Sequence, residues 1–262
     1  MPDSPFISSR TMTANATLKL FGRPVELAVT VPVEPVQFSA LLPLAQQLAD
    51  VVVEVAVAET NDQGMTISCK KGCGACCTQA VPLAPCEARF IRDLVEGLPE
   101  PRRTTVRERF MAAHDALEAG GLLGRLMDTS GLEAAGIIEL GREYLMLQIP
   151  CPFLEDQACS IHPQRPVRCR EYLVTSPPAS CAGPEVRQVT RVAMPAEVFR
   201  SMLAVGGEEA RGAARWVPLT VALDWAATHP DVSLPLPGTV LAQDLFEVLS
   251  GAKLPPATVP SM

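Results

Sequence analysis

Four cysteines fall within nine residues, Cys69-Lys-Lys-Gly-Cys73-Gly-Ala-Cys76-Cys77, and no other feature of this chain restricts its fold as much. Gly72 and Gly74 let the backbone curl, so that several sulfurs can face one point. A second group lies far downstream: Cys151-Pro-Phe-Leu, then Cys159-Ser-Ile-His162-Pro, then Arg165-Pro-Val-Arg168-Cys169-Arg170, and finally Cys181. Eight of the nine cysteines sit in these two groups. Thiols so concentrated, in a chain without an evident export signal, read as ligands for a metal or an iron–sulfur cluster rather than as disulfides. The fold is then expected to bring the two groups together.

Composition narrows what such a centre can serve. With 262 residues, 48% of them hydrophobic, the chain can build one large core or a main domain with an appendage. A net charge of −7 argues against general attraction to nucleic acid or anionic membranes, and an aromatic content of 5% leaves few platforms for stacking bases. Residues Met1 to Arg10 lack the basic-then-apolar pattern of a secretory signal. The most apolar run, Leu41 to Ala58, is interrupted by Gln46, Gln47, Asp50 and Glu54, which a bilayer core would reject. A cytoplasmic protein with no nucleic-acid or membrane partner is the expectation, and a metal ion is the partner the sequence does imply.

Periodicity gives a mostly α chain with a small N-terminal β-hairpin and an irregular cysteine-rich metal-binding core. Residues 1–14 are polar and expected to be disordered. Ala16–Phe21 and Pro24–Val31 alternate around Gly22-Arg23, which suits a type II′ hairpin. From Ser39 to Glu59 the period becomes helical, with Leu41, Leu44, Leu48, Val51 and Val55 on one face and Pro43 in the first turn. Helices are expected at Pro85–Leu98, Arg102–Ala119 and Leu132–Leu140, and later near Ala196–Val205, Trp216–Thr228 and Thr239–Leu249. Tyr144–Ile149 reads as a strand or extended segment delivering Cys151. The chain divides as a disordered 1–14, a hairpin-plus-helix appendage at 15–64, a cysteine-cluster domain at 65–183 and a helical extension at 184–262.

Zinc and iron both accept thiolate, and binding requires the thiols deprotonated. Lys70, Lys71, Arg165, Arg168 and Arg170 are placed in sequence to offset the resulting charge, though water-facing cations are the ordinary alternative. Cys76 and Cys77 are adjacent, so either the backbone turns sharply there or the two thiols serve different centres. Eight ligands would suit two four-thiolate sites, one binuclear centre, or one cluster with spare thiols. Cys86, following Pro85 at a helix start, reads as a small buried hydrophobe. His162 could complete a mixed site but fits a surface loop better, and His114 and His229 are isolated. Arg165 could instead hold the ligand loop, donating to carbonyls or sulfurs. Spacing of Cys69, Cys73 and Cys76 matches radical S-adenosylmethionine enzymes, but the alternating strands and helices of their barrels are missing downstream. A crowd of thiols is the wrong setting for a lone cysteine nucleophile. Gly206-Gly207 runs into Glu208-Glu209, which would repel phosphate. The remaining carboxylates read as solvated helix faces.

The run Cys-x3-Cys-Gly-x-Cys-Cys, followed by Cys-Pro-Phe-Leu and then Cys-x-Ile-His-x2-Arg-Pro-x2-Cys-Arg, resembles the YkgJ-type cysteine-cluster family. The likeness covers roughly Cys69 to Cys181. It implies a zinc- or iron-chelating domain and metal binding by Cys69, Cys73, Cys76, Cys77, Cys151, Cys159 and Cys169, with Cys181 as an eighth; position 162, often Tyr in that motif, is His here. The family includes proteins similar to flagellin lysine N-methylase. Besides a plain metal-binding protein holding zinc or an iron–sulfur cluster, the resemblance therefore implies, as an alternative, an iron–sulfur redox or methyl-transfer enzyme.

Overall fold

In the computed structural model the described residues are 10–182, 189–205 and 216–251. The chain opens with β1 (Thr11–Leu20) and β2 (Arg23–Pro32), paired antiparallel with Leu20 opposite Arg23. Alternation places Ala16, Leu18, Leu20, Leu27, Val29 and Val31 on one buried face. The two turn residues are Phe21 (φ 47°) and Gly22 (φ 78°), both left-handed. That is the type I′ pattern, one residue earlier than the type II′ turn expected at Gly22-Arg23. Either turn would keep the same apolar residues on one face; the observed one sets Leu18 opposite Val25 and Ala16 opposite Leu27. β1 begins at Thr11, so residues 11–14 are strand rather than disordered as expected, and residues 1–9 lie outside the described residues.

A short β3 (Pro35–Val36) and a 3-10 turn (Phe38–Leu41) lead into α1 (Leu42–Asp62), with Pro43 in its first turn. Leu44, Leu48, Val52 and Ala56 form its buried face; Val51 and Val55, expected inward, are half-buried beside it. The span Phe38–Asp62 is long and apolar enough to cross a membrane by composition alone, yet its apolar stripe is committed to a core shared with the hairpin.

The first cysteine block follows, then β4 (Pro82–Leu83), α2 (Pro85–Glu96), α3 (Arg102–Ala119), α4 (Leu123–Met127) and α5 (Ala134–Met146). α5 runs on through Tyr144, where an extended segment was expected. Leu140 and Tyr144 lie one turn apart and are both buried, so the helical face continues and holds the segment helical. The chain then forms the small hairpin β5 (Leu154–Glu155) and β6 (Ala158–Cys159), α6 (Val167–Glu171), α7 (Ala179–Ala182) and α8 (Val198–Val205). β7 (Val217–Pro218), α9 (Ala222–Thr228), β8 (Leu236–Pro237) and α10 (Gly238–Ser250) complete it. Trp216–Pro218 is extended rather than the start of a helix. Its strand β7 pairs with β4, and Pro218 ends the run.

Two cores result. The first joins the hairpin, α1, α8 and α10; the second joins α2, α3, α5 and α9 with Phe153 and Ile161. Helix α2 serves both, Cys86 in the first and Ala88, Ile91 and Val95 in the second. The pairs β3–β8 and β4–β7 tie early and late parts of the chain together. The fold is mostly helical with one long hairpin.

Candidate metal centre

The first cysteine block is anchored before its first thiol. Ser68 donates its amide to the Val174 carbonyl (2.9 Å) and its hydroxyl to that of Thr175 (3.1 Å). Local bonds then curl the loop: the Cys73 amide donates to Lys70 O (3.0 Å) and the Cys77 amide to Gly74 O (2.9 Å). A 3-10 turn over Ala75–Thr78 carries Cys76 and Cys77, whose thiols are hydrogen-bonded to each other. The backbone therefore turns sharply at this pair, one of the two arrangements their adjacency allowed.

The second block is brought onto the first by backbone contacts. The Cys151 amide donates to the Cys77 carbonyl at 2.7 Å. Hairpin β5–β6, turned at Asp156 and Gln157 (φ 47° and 63°), sets Cys159 opposite Leu154. Gly74 lies against this hairpin so closely that an added Cβ would meet Leu154 Cδ1 at 2.6 Å and Gln157 O at 3.1 Å. On the other side, Gln79 donates through Nε2 to the Tyr172 hydroxyl (3.2 Å) and to the Cys181 carbonyl (2.8 Å).

Helix α6, which carries Cys169, is held from three directions. The Val167 amide at its start donates to Glu87 Oε1 of α2 (2.8 Å). Arg170 grips Asp50 of α1 and the carbonyls of Pro163 and Arg165. Glu171 accepts the amides of Val198 (2.6 Å) and Phe199 (3.3 Å) at the start of α8. Burial pushes the carboxyls of Glu87 and Glu171 each up to about 7. These two were expected to be solvated and are instead buried, because each satisfies two helix-start amides. Glu87 carried a signal, being an acidic residue three positions into a helix; Asp50, Gln79 and Glu171 carried none.

All nine cysteines are free thiols, and thiols of the first block bear on those of the second. Cys76 is the hub: its charge bears on Cys69, Cys151, Cys159, Cys169 and Cys181. Cys73 bears on Cys69 and Cys181, so the sequence blocks interleave in space. Desolvation, then repulsion between thiolates, raises the thiols of Cys69, Cys159, Cys169 and Cys181, and takes Cys151 up to about 12. The Cys76 thiol is raised chiefly by its hydrogen bond to Cys77, then by burial. Arg165 is the cation that opposes this, at Cys69, Cys76 and Cys159. Its buried Nε, together with Thr78 Oγ1 and Ser160 Oγ beside Cys77 and Cys159, has no hydrogen-bond partner among the described residues. Among those residues no three His, Cys, Asp or Glu side chains stand in a ready-made set around an ion.

The other expected cations are engaged elsewhere. Lys70 and Lys71 are exposed, Arg168 pairs with Glu197 (3.4 Å) and lies over Phe199, and Arg170 is held by Asp50. Cys86 is buried in the first core, with Glu87, Arg89 and Asp231 as its charged neighbours, as its apolar reading required. His162 is exposed, and its imidazole is held below its ordinary range by desolvation and then by Arg165 and Arg170. His114 pairs with Asp224 (2.8 Å), and His229 stacks on Trp225. A cavity of about 340 Å³ opens on the side of Cys151, floored by Ala112, Ala113 and Ala116 of α3 and edged by Arg109.

No curated protein and no solved structure matches this chain. Metal binding is the property that its family match supports. Residues 68–190, which span both cysteine blocks, match the model of the CxxCxxCC family, described as "Putative zinc- or iron-chelating domain".

Proposed function

We propose that the protein binds zinc or iron through a cysteine-ligated centre formed by Cys69, Cys73, Cys76, Cys77, Cys151, Cys159, Cys169 and Cys181. What carries this is that Cys76 of the first block bears on Cys151, Cys159, Cys169 and Cys181 of the second as well as on Cys69, with the Cys151 amide hydrogen-bonded to the Cys77 carbonyl. Burial and mutual repulsion disfavour the thiolates in the metal-free protein, and a cation that takes the place of their protons offsets both. The unpartnered Nε of Arg165 fits the same group, since a thiolate sulfur in that position would accept its hydrogen. The metal supplies the charge that holds both blocks; Arg165, Gln79 and Glu87 orient the loops that present the sulfurs. A reducing compartment, the cytoplasm, is part of this reading, and nine free thiols are compatible with it.

Elemental analysis and a visible spectrum of oxygen-protected protein test this reading. Stoichiometric zinc or iron is expected, reduced at least severalfold in Cys76→Ser and Cys169→Ser variants. Protein that takes up neither metal under reducing conditions, or variants that keep the full complement, would overturn it. The cavity beside Cys151 favours a second reading, an iron–sulfur redox or methyl-transfer enzyme whose substrate enters along α3. Brown protein that bleaches in air supports that reading, whereas colourless zinc protein supports the first.

A further inference from the structure

The two edges of the N-terminal hairpin are treated differently. Leu20 and Arg23 flank a two-residue turn and so form a hydrogen-bonded pair, and at the far end the Val33 amide donates to Arg10 O (3.1 Å). The even-numbered residues of β1 therefore bond to β2, while Thr11, Thr13, Asn15, Thr17 and Lys19 aim their amides and carbonyls outward. On β2 the corresponding outward positions are Pro32, Thr30, Ala28, Glu26 and Pro24. Two of these lack an amide hydrogen, and the Ala28 carbonyl accepts Gln47 Nε2 of α1 at 3.0 Å. The edge of β2 is thus blunted and covered. That of β1 has no proline, a single charge at Lys19, five exposed outward residues, and no backbone hydrogen bond from its outward groups to any described residue. An open edge ten residues long is a template for another strand.

We propose that β1 pairs with β1 of a second copy of this chain, antiparallel about a two-fold axis at Asn15, to make a continuous four-stranded sheet. The strand complements itself in this register. Thr13 meets the second copy's Thr17, Asn15 meets its own counterpart, and Lys19 meets Thr11, so no like charges are opposed and the outer face gains threonine pairs. On the inner face, Met12 and Ala14 are only half-buried, because the first core begins at Ala16. Pairing places them beside the second copy's Leu18 and Ala16.

Sedimentation velocity of the purified full chain at roughly 100 µM, a concentration that reveals dimers of that Kd or tighter, tests this. A dimer is expected. Asn15→Pro deletes only an outward amide in each copy, and the loss of two ladder bonds is expected to weaken the dimer by about tenfold or more. Asn15→Lys and Asn15→Asp, each opposing like charges at the axis, are expected to be monomeric alone and to form a heterodimer when mixed. Circular dichroism matching the parent sets folding defects aside for all three. A monomeric parent overturns the proposal, as does a dimer indifferent to all three substitutions. A parent that stays monomeric but captures unrelated extended peptides also overturns it, in favour of a different occupant.

Discussion

Arg170 holds both carboxylate oxygens of Asp50 at 2.8 Å through one guanidinium nitrogen, joining the helix that carries Cys169 to a helix 120 positions earlier. The arginine side chain is 7% exposed and the aspartate 50%, and that asymmetry decides how the pair responds to substitution. Asp50→Ala leaves a buried guanidinium uncompensated and is expected to cost about 3 kcal/mol. Arg170→Lys is expected to cost nearly as much, because an ammonium cannot span Asp50 and two carbonyls together. The double variant Asp50→Ala/Arg170→Met should cost less than the sum of the singles. Urea unfolding of all variants in a double-mutant cycle measures this.

Gly74 is a contact between the blocks made of absent atoms. Gly74→Ala puts a methyl group against a movable Leu154 side chain and a less movable Gln157 carbonyl. A loss of about 1–2 kcal/mol is expected from overpacking, with weaker metal retention. Leu154→Ala in the same chain should recover part of the metal retention, because the closest clash is removed. Metal content after dialysis against a graded chelator reads both effects.

The thiols set a pH dependence that changes with metal. In the metal-free fold those of Cys69, Cys76, Cys151, Cys159, Cys169 and Cys181 are raised, so that form is favoured while they stay protonated. Its stability is expected to hold below about pH 8.5, the ordinary thiol value, and to fall as pH rises towards the folded values, about 12 for Cys151. Metal loading replaces those protons. It should therefore release acid into weakly buffered solution at pH 7 and raise the melting temperature, with a coupling of order 10 kcal/mol. Thermal scans with and without chelator, under reducing conditions, check both halves. An unchanged melting temperature after complete metal removal would rule out an organising role for the metal.

Glu87 gives a second and separate pH window. Burial raises its carboxyl to about 7, above the unfolded value near 4.3, so its contribution is fullest at low pH and declines as pH rises between those limits. Glu87→Gln cannot titrate and should flatten stability between pH 5 and pH 7.5. It also turns an amide donor towards Ala84 N or Val167 N, so it should lower stability overall by about 1–2 kcal/mol. Denaturant midpoints across that range separate the two effects.

Much of this fold is written in local pattern. The alternation of Leu18, Leu20, Leu27 and Val29 and the helical repeats of α1, α2 and α3 are visible in sequence, because one face of each is committed to a core. The turn lies at Phe21-Gly22, one residue before the expected place, because both placements keep the same residues inward and the alternation does not choose between them. Tyr144 reads as extended in sequence because Tyr144–Ile149 is a short apolar run that fits either period, and Gly141-Arg142-Glu143 separates it from its helical partner Leu140. For the site, cysteine spacing names the eight thiols, but it says nothing of the clasp by Asp50, Glu87 and Gln79. Those contacts join positions 80 to 120 apart and leave no local trace. Of the five cations, Arg165 is the one whose charge bears on Cys69, Cys76 and Cys159, a distinction made by tertiary packing.

The two hydrophobic clusters meet where the cysteines lie, with Val167 of α6 in one and Ile149, Phe153 and Ile161 of the second block in the other. A rivet at such a junction governs cooperativity more than it governs either half. An ion held there, as proposed, would oblige both lobes to melt in one calorimetric transition. Stripped of it, the hairpin side and the α3 side become free to open at separate temperatures, each keeping its own oil drop intact for a while.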